Sequence, residues 1–473
     1  MFFDEFEQMV LETVDWTTSP GWPYRDSFST NGELFGWDGV GVRPDRVMMM
    51  QEAVKQRIDV LRGDIEADPI YLFIKPEPHT KRKLDMGAYR LISGVGVIDR
   101  LVDEILYGRF LAKMVKNWEV IPNKAGWTPQ MGGYRWVLDR IVKPAAVDKS
   151  AWDWTMQGWI VKILEKLLVR LMKFRKIRGS DVMEEYERIL KNRFMALFLY
   201  PTYKTAGGNV VEQRVYGIQK SGCLGTIGFN SIAQVALHLL AVIRSVAPVP
   251  LPMALGDDTI QDIHQLKREE WDRYIEELGK TGCIIKEVEY RFLFAGHEMF
   301  RTHVEPCYRE KHLYTLIYAG GEELPELLMS YQFLYGYSLD QDMRDVILEL
   351  IRQYNPLQER SEAYIRNWYR GDEAGLNERD MRLLPPGKIL GNFWKQLDDG
   401  RSPMRVTSVR AAYSGGQYIG LVRTEDQMIE RETLEQHLER TGVLDRYLRI
   451  VGLRAARRAG VPDRYAGGSG SSD

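Results

Sequence analysis

Two carboxylates stand side by side in the stretch PLPMALGDDTIQD at residues 250–262. Met253, Ala254 and Leu255 form one short apolar run, Thr259 and Ile260 another, and Gly256, Asp257 and Asp258 lie between them. The pattern predicts a hairpin whose tight turn carries both acids at its tip. Adjacent carboxylates repel one another unless a cation is near, and bound Mg²⁺ or Mn²⁺ is the simplest offset. Taken alone, Gly-Asp-Asp also describes an exposed acidic turn, since a chain this long carries a chance copy roughly one time in ten at average composition. A second acid pair lies upstream. The apolar, β-like run at 145–147 ends at Asp148, and Asp153 follows in a D-x4-D spacing. An acid at the end of a strand that turns into a helix sits at an open sheet edge, where ligands commonly bind.

Three further groups could work on an anionic substrate. The segment KPEPHTKRKLDMGAYRLISG at 75–94 holds Lys75, Lys81, Arg82, Lys83 and Arg90 against only Glu77 and Asp85. It reads either as a solvated basic loop or as a phosphate-handling one. Ser221, Gly222, Thr226, Asn230 and Ser231 follow in the order S-G-x3-T-x3-N-S. Five specified residues arise by chance on the order of once in several thousand at average composition. Lys286 lies in the apolar run at 283–288.

These residues need elements to hold them. A β run at 70–74 leads into the basic segment, which Pro76, Pro78 and Gly87 predict as a loop, and a strand resumes at 89–92. Helical character is expected at 44–61 and 98–115. From 155 to 174 Ile160, Ile163, Leu164, Leu167, Leu168, Leu171 and Met172 line one helical face. Residues 194–217 read as a hairpin about Gly207-Gly208. Glycines at 222, 225 and 228 predict a flexible start to a helix from about 230 to 242. A charged helix is expected at 267–280, a strand at 283–288, and a β-like element with a Gly-His turn at 292–299. Beyond Cys307 helices are expected at 322–334, 339–354, 360–369 and 426–456, with loop- and strand-like stretches at 385–394 and 402–422.

Bulk properties set limits. The 473 residues are 44% hydrophobic and 27% charged, a globular composition long enough for two to four domains or subdomains. Lys plus Arg number 64 and Asp plus Glu 66, so nucleic-acid binding requires basic residues gathered in one place. Cys223, Cys283 and Cys307 are few, odd in number and far apart, which points to a reducing compartment and to no CxxC metal site. The acidic N-terminus does not read as a signal peptide. The longest apolar region, 232–243, is too short to span a bilayer. The tail GGSGSSD is expected to be disordered.

In sequence order the chain offers TSPGWP, IKPEPHTKRK…YRLI, AVDKSAWDW, SGCLGTIGFNS, ALGDD, CIIKEV and FAGHEM. This order resembles viral RNA-dependent RNA polymerases, most closely the sobemovirus- and luteovirus-like group of positive-strand RNA viruses. The resemblance covers roughly residues 17 to 300. Two departures stand out: Leu255 precedes Gly-Asp-Asp where many such polymerases carry Tyr, and Ala295-Gly296 stand where relatives often have Cys-Ser.

The resemblance implies template-directed RNA synthesis with two Mg²⁺ or Mn²⁺ ions held by Asp148, Asp257 and Asp258. It implies that Lys75, Lys81, Lys83 and Arg90 take the triphosphate, Arg90 being the best bidentate donor. Asp153 and Asn230, with Ser221 and Thr226 nearby, are implied to read the ribose 2′-hydroxyl. Lys286 would protonate the departing pyrophosphate. Ser19, Pro20, Gly21, Arg82 and Gly222 are implied to touch template RNA, and Trp22 or Trp127 could stack on its bases. Plainer alternatives stand beside these roles. Asp153 and Asn230 could each cap a helix, and Lys286 could be a surface strand lysine.

The implied fold is α+β, a right-hand polymerase with an antiparallel palm sheet flanked by helices and a mostly helical thumb. Its divisions would be fingers at 1–145, palm at 146–176, a fingers insertion at 177–217, palm again at 218–304, thumb at 305–466 and a disordered tail at 467–473. Expected partners are RNA template and product, ribonucleoside triphosphates and other viral replication proteins, with no membrane span. The expected location is a replication complex in the host cytoplasm, which partners can bring to a membrane. A reverse transcriptase shares the carboxylate palm but excludes a 2′-hydroxyl that Asp153 and Asn230 are suited to bind. A non-enzymatic RNA-binding replication protein would not need all three acids.

Overall fold

The computed structural model of the chain describes residues 3–75, 77, 81–172, 182–319 and 324–371. All fall in the first of two compact units, Met1–Gly420; the second, Leu421–Asp473, lies outside the described residues. So do the helix expected at 426–456, the stretches at 385–394 and 402–422, the thumb beyond 371, the tail at 467–473 and the first residues of the 177–217 insertion.

In chain order the strands are β1 (Ile70–Ile74), β2 (Leu91–Gly94), β3 (Pro144–Ser150), β4 (Thr202–Lys204), β5 (Val210–Glu212) and β6 (Met253–Leu255). They continue with β7 (Asp258–Asp262), β8 (Ile284–Glu289), β9 (Leu293–Phe294), β10 (His297–Met299) and β11 (Val304–Pro306). Three sheets result, ordered β2-β1-β4-β5, β6-β7-β3-β8 and β11-β10-β9. The second is antiparallel throughout. Its inner strand β3 buries Ala145, Ala146 and Val147 together, which is why these residues form an unbroken apolar run rather than an alternating one. The first sheet joins segments far apart in sequence, because β1 pairs parallel to β4 while β2 and β5 pair antiparallel at its two sides.

Behind the β3 sheet runs the helix Thr226–Ser245, whose Phe229, Ala233, Leu237 and Ala241 are buried. His238 joins it to the Arg268–Gly279 helix through Tyr274 Oη at 2.9 Å and to β7 through Gln261 Nε2 at 3.1 Å. This helix has 20 residues, four more at its start and three more at its end than expected. By length and composition alone it could cross a membrane, so the bound taken from 232–243 was too short. Of its apolar window, 67% is buried inside the fold, and that packing accounts for its hydrophobicity.

Around the first sheet the chain is pinned by buried charge. Arg57, from the Pro44–Leu61 helix, contacts Asp99 and meets Asp68 at 3.0 Å. Arg193 forms a bidentate pair with Asp103, at 2.7 and 2.9 Å, and both side chains are fully buried. These pairs tie the helices Pro44–Leu61, Val97–Asp103 and Val182–Phe198 to one another.

Several local expectations are corrected. Phe194 lies in the Val182–Phe198 helix, and only β4 and β5 form the expected hairpin, since Arg193 and Phe194 face the buried network. The helix expected at 155–174 is, over its described residues, two helices, a short Trp152–Thr155 and a longer Gly158–Leu171, because the chain between them is extended. Lys81–Asp85 makes a helical turn inside the expected loop. The turn between β9 and β10 is Ala295-Gly296, both with positive φ, and His297 opens β10. A helix at Arg309–Tyr318 was not anticipated; the other described C-terminal helices are Leu324–Tyr335, Gln341–Tyr354 and Glu362–Arg370. Phe333 and Trp368 from two of them share a core with Phe294, Leu255 and Ile260.

Breaking a buried ion pair leaves one charge uncompensated, which costs about 3–5 kcal/mol. Asp103→Ala should lower the urea-unfolding free energy by that order. A loss below about 1 kcal/mol would mean that Arg193 finds another buried partner.

Candidate functional site

Leu255 pairs with Asp258, so Gly256 and Asp257 alone form the loop between β6 and β7. Gly256 has φ 65°, the left-handed conformation that a two-residue hairpin loop requires and that glycine accepts without strain. Its N–H donates to Ser231 Oγ at 2.9 Å, and that hydroxyl donates to Ile227 O at 2.8 Å, fixing the turn to the long helix. On the neighbouring strands Val147 pairs with Thr259, and one residue further out stand Asp148 and Asp258. Three carboxylates therefore meet at one end of the sheet. Burial, then its neighbour Asp258, pushes the Asp257 carboxyl well above the usual range. Burial and then Asp148 push Asp258 up to about 7.

Two lysines bracket this charge. The register between β3 and β8 slips after Asp148, which opposes Glu287 while Lys149 opposes Ile285. Lys286 is the extra residue, and bulges of this kind re-aim a side chain. Its Nζ lies 2.5 Å from Asp148 Oδ2, so Lys286, although exposed, is paired with one of the three acids. Lys149 is 2% exposed and donates to Thr259 Oγ1 at 3.0 Å, Val147 O at 3.2 Å and Asp257 O at 3.5 Å. Burial lowers its pKa although all three carboxylates act to raise it. Lys149 was missed from sequence. A lysine inside an apolar strand, one place from an acid, was the signal.

Ala151 has φ 49°, a strained value for a residue with a side chain, and turns the chain from β3 into the Trp152–Thr155 helix. Asp153 follows and accepts from Asn230 Nδ2 at 3.0 Å. Neither residue caps a helix, since the positions before the two helices are Ala151 and Gly225. Asn230 is 5% exposed, and its Oδ1 has no hydrogen-bond partner among the described residues. Burial raises the Asp153 carboxyl, while the Asn230 bond and then Arg90 lower it.

Ser221 and Thr226 are engaged elsewhere. Ser221 Oγ accepts from Ser93 N at 3.0 Å, and Thr226 Oγ1 binds the carbonyls of Lys220 at 2.9 Å and Cys223 at 2.8 Å. A Cβ on Gly222 would lie 2.5 Å from Ser93 O, so only glycine allows this loop to lie against β2. Pro20 and Gly21 are buried at the start of the Val97–Asp103 helix, where Pro20 O accepts from Val97 N at 2.9 Å; Ser19 is exposed. Trp22 is buried under Lys204, and Trp127 is buried against Phe294, so neither ring offers an open face to a base.

In the basic segment Lys81 and Arg82 are exposed and Lys83 is buried. Burial, then Arg90, lowers the Lys83 pKa, and the charge of Lys286 adds to the effect, placing this segment beside the carboxylate end of the sheet. Lys75 and Arg90 both contact Glu77, at 3.0 and 3.1 Å. Sequence reasoning also missed Tyr308, whose hydroxyl pKa is raised by burial and then by Asp258, Asp148 and Asp257.

Hard carboxylate oxygens gathered at one place suit Mg²⁺ or Mn²⁺. Among the described residues no three His, Cys, Asp or Glu side chains form a ready-made ligand group. Asp148 is turned to Lys286 instead.

The model of the family described as viral RNA-dependent RNA polymerase matches residues 5–291. The chain is 27% identical over 291 residues to the replicase polyprotein P2AB of Southern cowpea mosaic virus, covering 56% of this chain and 28% of that protein. It is 30% identical over 257 residues to the P2AB of Southern bean mosaic virus, covering 51% and 25%. With the RNA-directed RNA polymerase of mushroom bacilliform virus it shares 27% identity over 320 residues, 63% of this chain and 71% of the relative. The match thus spans about a quarter of the two polyproteins. A solved Sicinivirus 3Dpol RNA-dependent RNA polymerase superposes with a TM-score of 0.54 at 15% identity, over 72% of this chain and 74% of that one, a likeness of fold.

The acid cluster has a signature free of any substrate. Asp258 keeps its proton up to about pH 7 when folded but loses it near 3.8 when unfolded. Its stabilising contribution is therefore complete below the lower value and lost as pH rises through the upper one. In chelator, the urea midpoint should fall from pH 5 to pH 8, and Asp258→Asn should flatten that fall. An unchanged slope in the variant would remove Asp258 as its source.

Proposed function

The chain belongs to the viral RNA-dependent RNA polymerase family, and from that premise we propose that it joins ribonucleoside triphosphates into RNA on an RNA template during viral genome replication. The meeting of Asp148 with Asp257 and Asp258, over a hundred residues apart, at one end of a sheet carries this reading. Asp148 and Asp257 would hold two Mg²⁺ or Mn²⁺ ions, with Asp258 in support. Such ions, when bound, stabilise the attacking 3′-oxygen and the leaving pyrophosphate.

The remaining work belongs to side chains of this chain. Lys75, Lys81, Lys83 and Arg90 take the triphosphate, and Arg82 and Ser19 touch the RNA backbone. Lys286 donates a proton to the departing pyrophosphate once its contact with Asp148 is given up. Asp153 orients Asn230, whose unpartnered Oδ1 accepts from the ribose 2′-hydroxyl. This polar pair disfavours a reverse transcriptase, which needs bulk there. Ser221 and Gly222 shape the loop around the pair. The β3 sheet is the palm, at 146–176 and 218–304, with fingers at 1–145 and 177–217 and the thumb from 305 to 466. That β1 and β2 share a sheet with β4 and β5 supports grouping both finger segments. We place the activity in the host cytoplasm, with other viral replication proteins as partners.

Asp257→Ala should abolish incorporation while leaving the fold and RNA binding nearly intact. Retention of more than a few per cent of activity, an order-of-magnitude threshold, would sink the assignment.

Sugar choice gives a second test. A deoxynucleotide leaves the buried Asn230 acceptor short of a donor, at a cost of ~1–3 kcal/mol, so discrimination from this contact should be on the order of 10- to 100-fold. In Asn230→Ala, kcat/KM for ATP should fall more than that for dATP, and their ratio should shrink. Equal losses would leave Asn230 a packing residue.

A further inference from the structure

Glu77 gathers cations from three separate places. Its Oε1 lies 3.1 Å from Arg90 Nη1, and its Oε2 lies 3.0 Å from Lys75 Nζ and 2.9 Å from Lys311 Nζ. The Glu77 side chain is 8% exposed, and those of the three cations between 18% and 27%. Lys75 and Arg90 belong to the basic segment, but Lys311 comes from the Arg309–Tyr318 helix, more than 200 residues on. Burial raises the Glu77 carboxyl, yet Lys75, Arg90 and the Lys311 hydrogen bond bring it down to about 2. Burial lowers Lys311 to about 8 even with Glu77 beside it. Three cations thus meet one carboxylate in a half-buried place.

The cluster lies at the rim of the carboxylate site. Tyr308, which all three carboxylates influence, precedes Lys311 by three residues, about one helical turn. Arg90 acts on Asp153. Two ammonium groups and a guanidinium converging on one carboxylate match what a polyphosphate chain needs, point charges with one planar fork.

We propose that Lys311 is a phosphate-binding residue acting with Lys75 and Arg90, and that Glu77 holds the three together until a polyphosphate displaces it. This rests on the reading of the basic segment as the triphosphate site. It adds a ligand from outside that segment and gives Glu77 a placeholder's role.

Binding of inorganic tripolyphosphate to the full chain, in chelator at fixed low salt, tests it by calorimetry. Lys311→Gln should weaken binding about tenfold, the scale of one charge-assisted hydrogen bond, and Lys311→Arg should restore most of the loss. Glu77→Gln should tighten binding, by about threefold or more, because the competing anion is removed. If Arg90→Gln weakens binding and Lys311→Gln does not, Lys311 is no phosphate ligand and the inference falls while the triphosphate reading stands. If neither weakens it, both fall. If Glu77→Gln and Lys311→Gln weaken it alike, the contact is a structural clamp and the placeholder role is overturned.

Discussion

Negative charge crowded at one end of the β3 sheet is the constraint on which the rest of this structure depends. Burial and then neighbouring carboxylates raise the proton affinity of Asp257 and Asp258, so the fold must supply positive charge within reach without filling the space between the acids. It does so at three depths. Lys149 lies beneath, locked to backbone and to Thr259. Lys286 lies alongside, carried by a bulge. The basic segment lies beyond, restrained by Glu77. The buried cation is thus bound to backbone and hydroxyl, while Lys286 and the basic segment make their contacts with carboxylates directly.

The long Thr226–Ser245 helix sets the geometry of the site. One residue, Asn230, faces Asp153, and the next, Ser231, holds the Gly256 amide. Adjacent residues on one helix thereby fix the spacing between the Asp153–Asn230 pair and the acid turn. The helix itself is held by His238, Tyr274 and Gln261 at one level and by close packing at another. A Cβ on Gly228 would come within 2.8 Å of Leu111. Small changes in that packing would move Asn230 and the Gly256 turn together.

Much of this was legible in sequence where short range decides. The Gly-Asp-Asp hairpin follows from two apolar runs and a glycine, and the Pro44–Leu61 helix and β1 follow from periodicity and a proline. Failures came where packing decides. Glycines 225 and 228 read as flexible, yet they admit Phe229 and Leu111 at close range, so the helix begins at Thr226. Phe194 read as part of a strand, but Arg193 draws that segment into a helix facing Asp103. The slip that re-aims Lys286 and the reach of Lys311 to Glu77 depend on contacts 138 and 234 residues apart, which no local pattern encodes.

The placement of β3 also governs how the chain must be made. Val147 waits for Thr259 on one side and Val288 on the other, so this apolar strand leaves the ribosome long before either neighbour exists. At about 5–20 residues per second, the gap to Thr259 is on the order of 5–20 seconds of synthesis. During it the helices Gly158–Leu171 and Val182–Phe198, whose contacts are local, form first, and both edges of β3 stay open to wrong pairing. That interval is where β3 has most need of a chaperone.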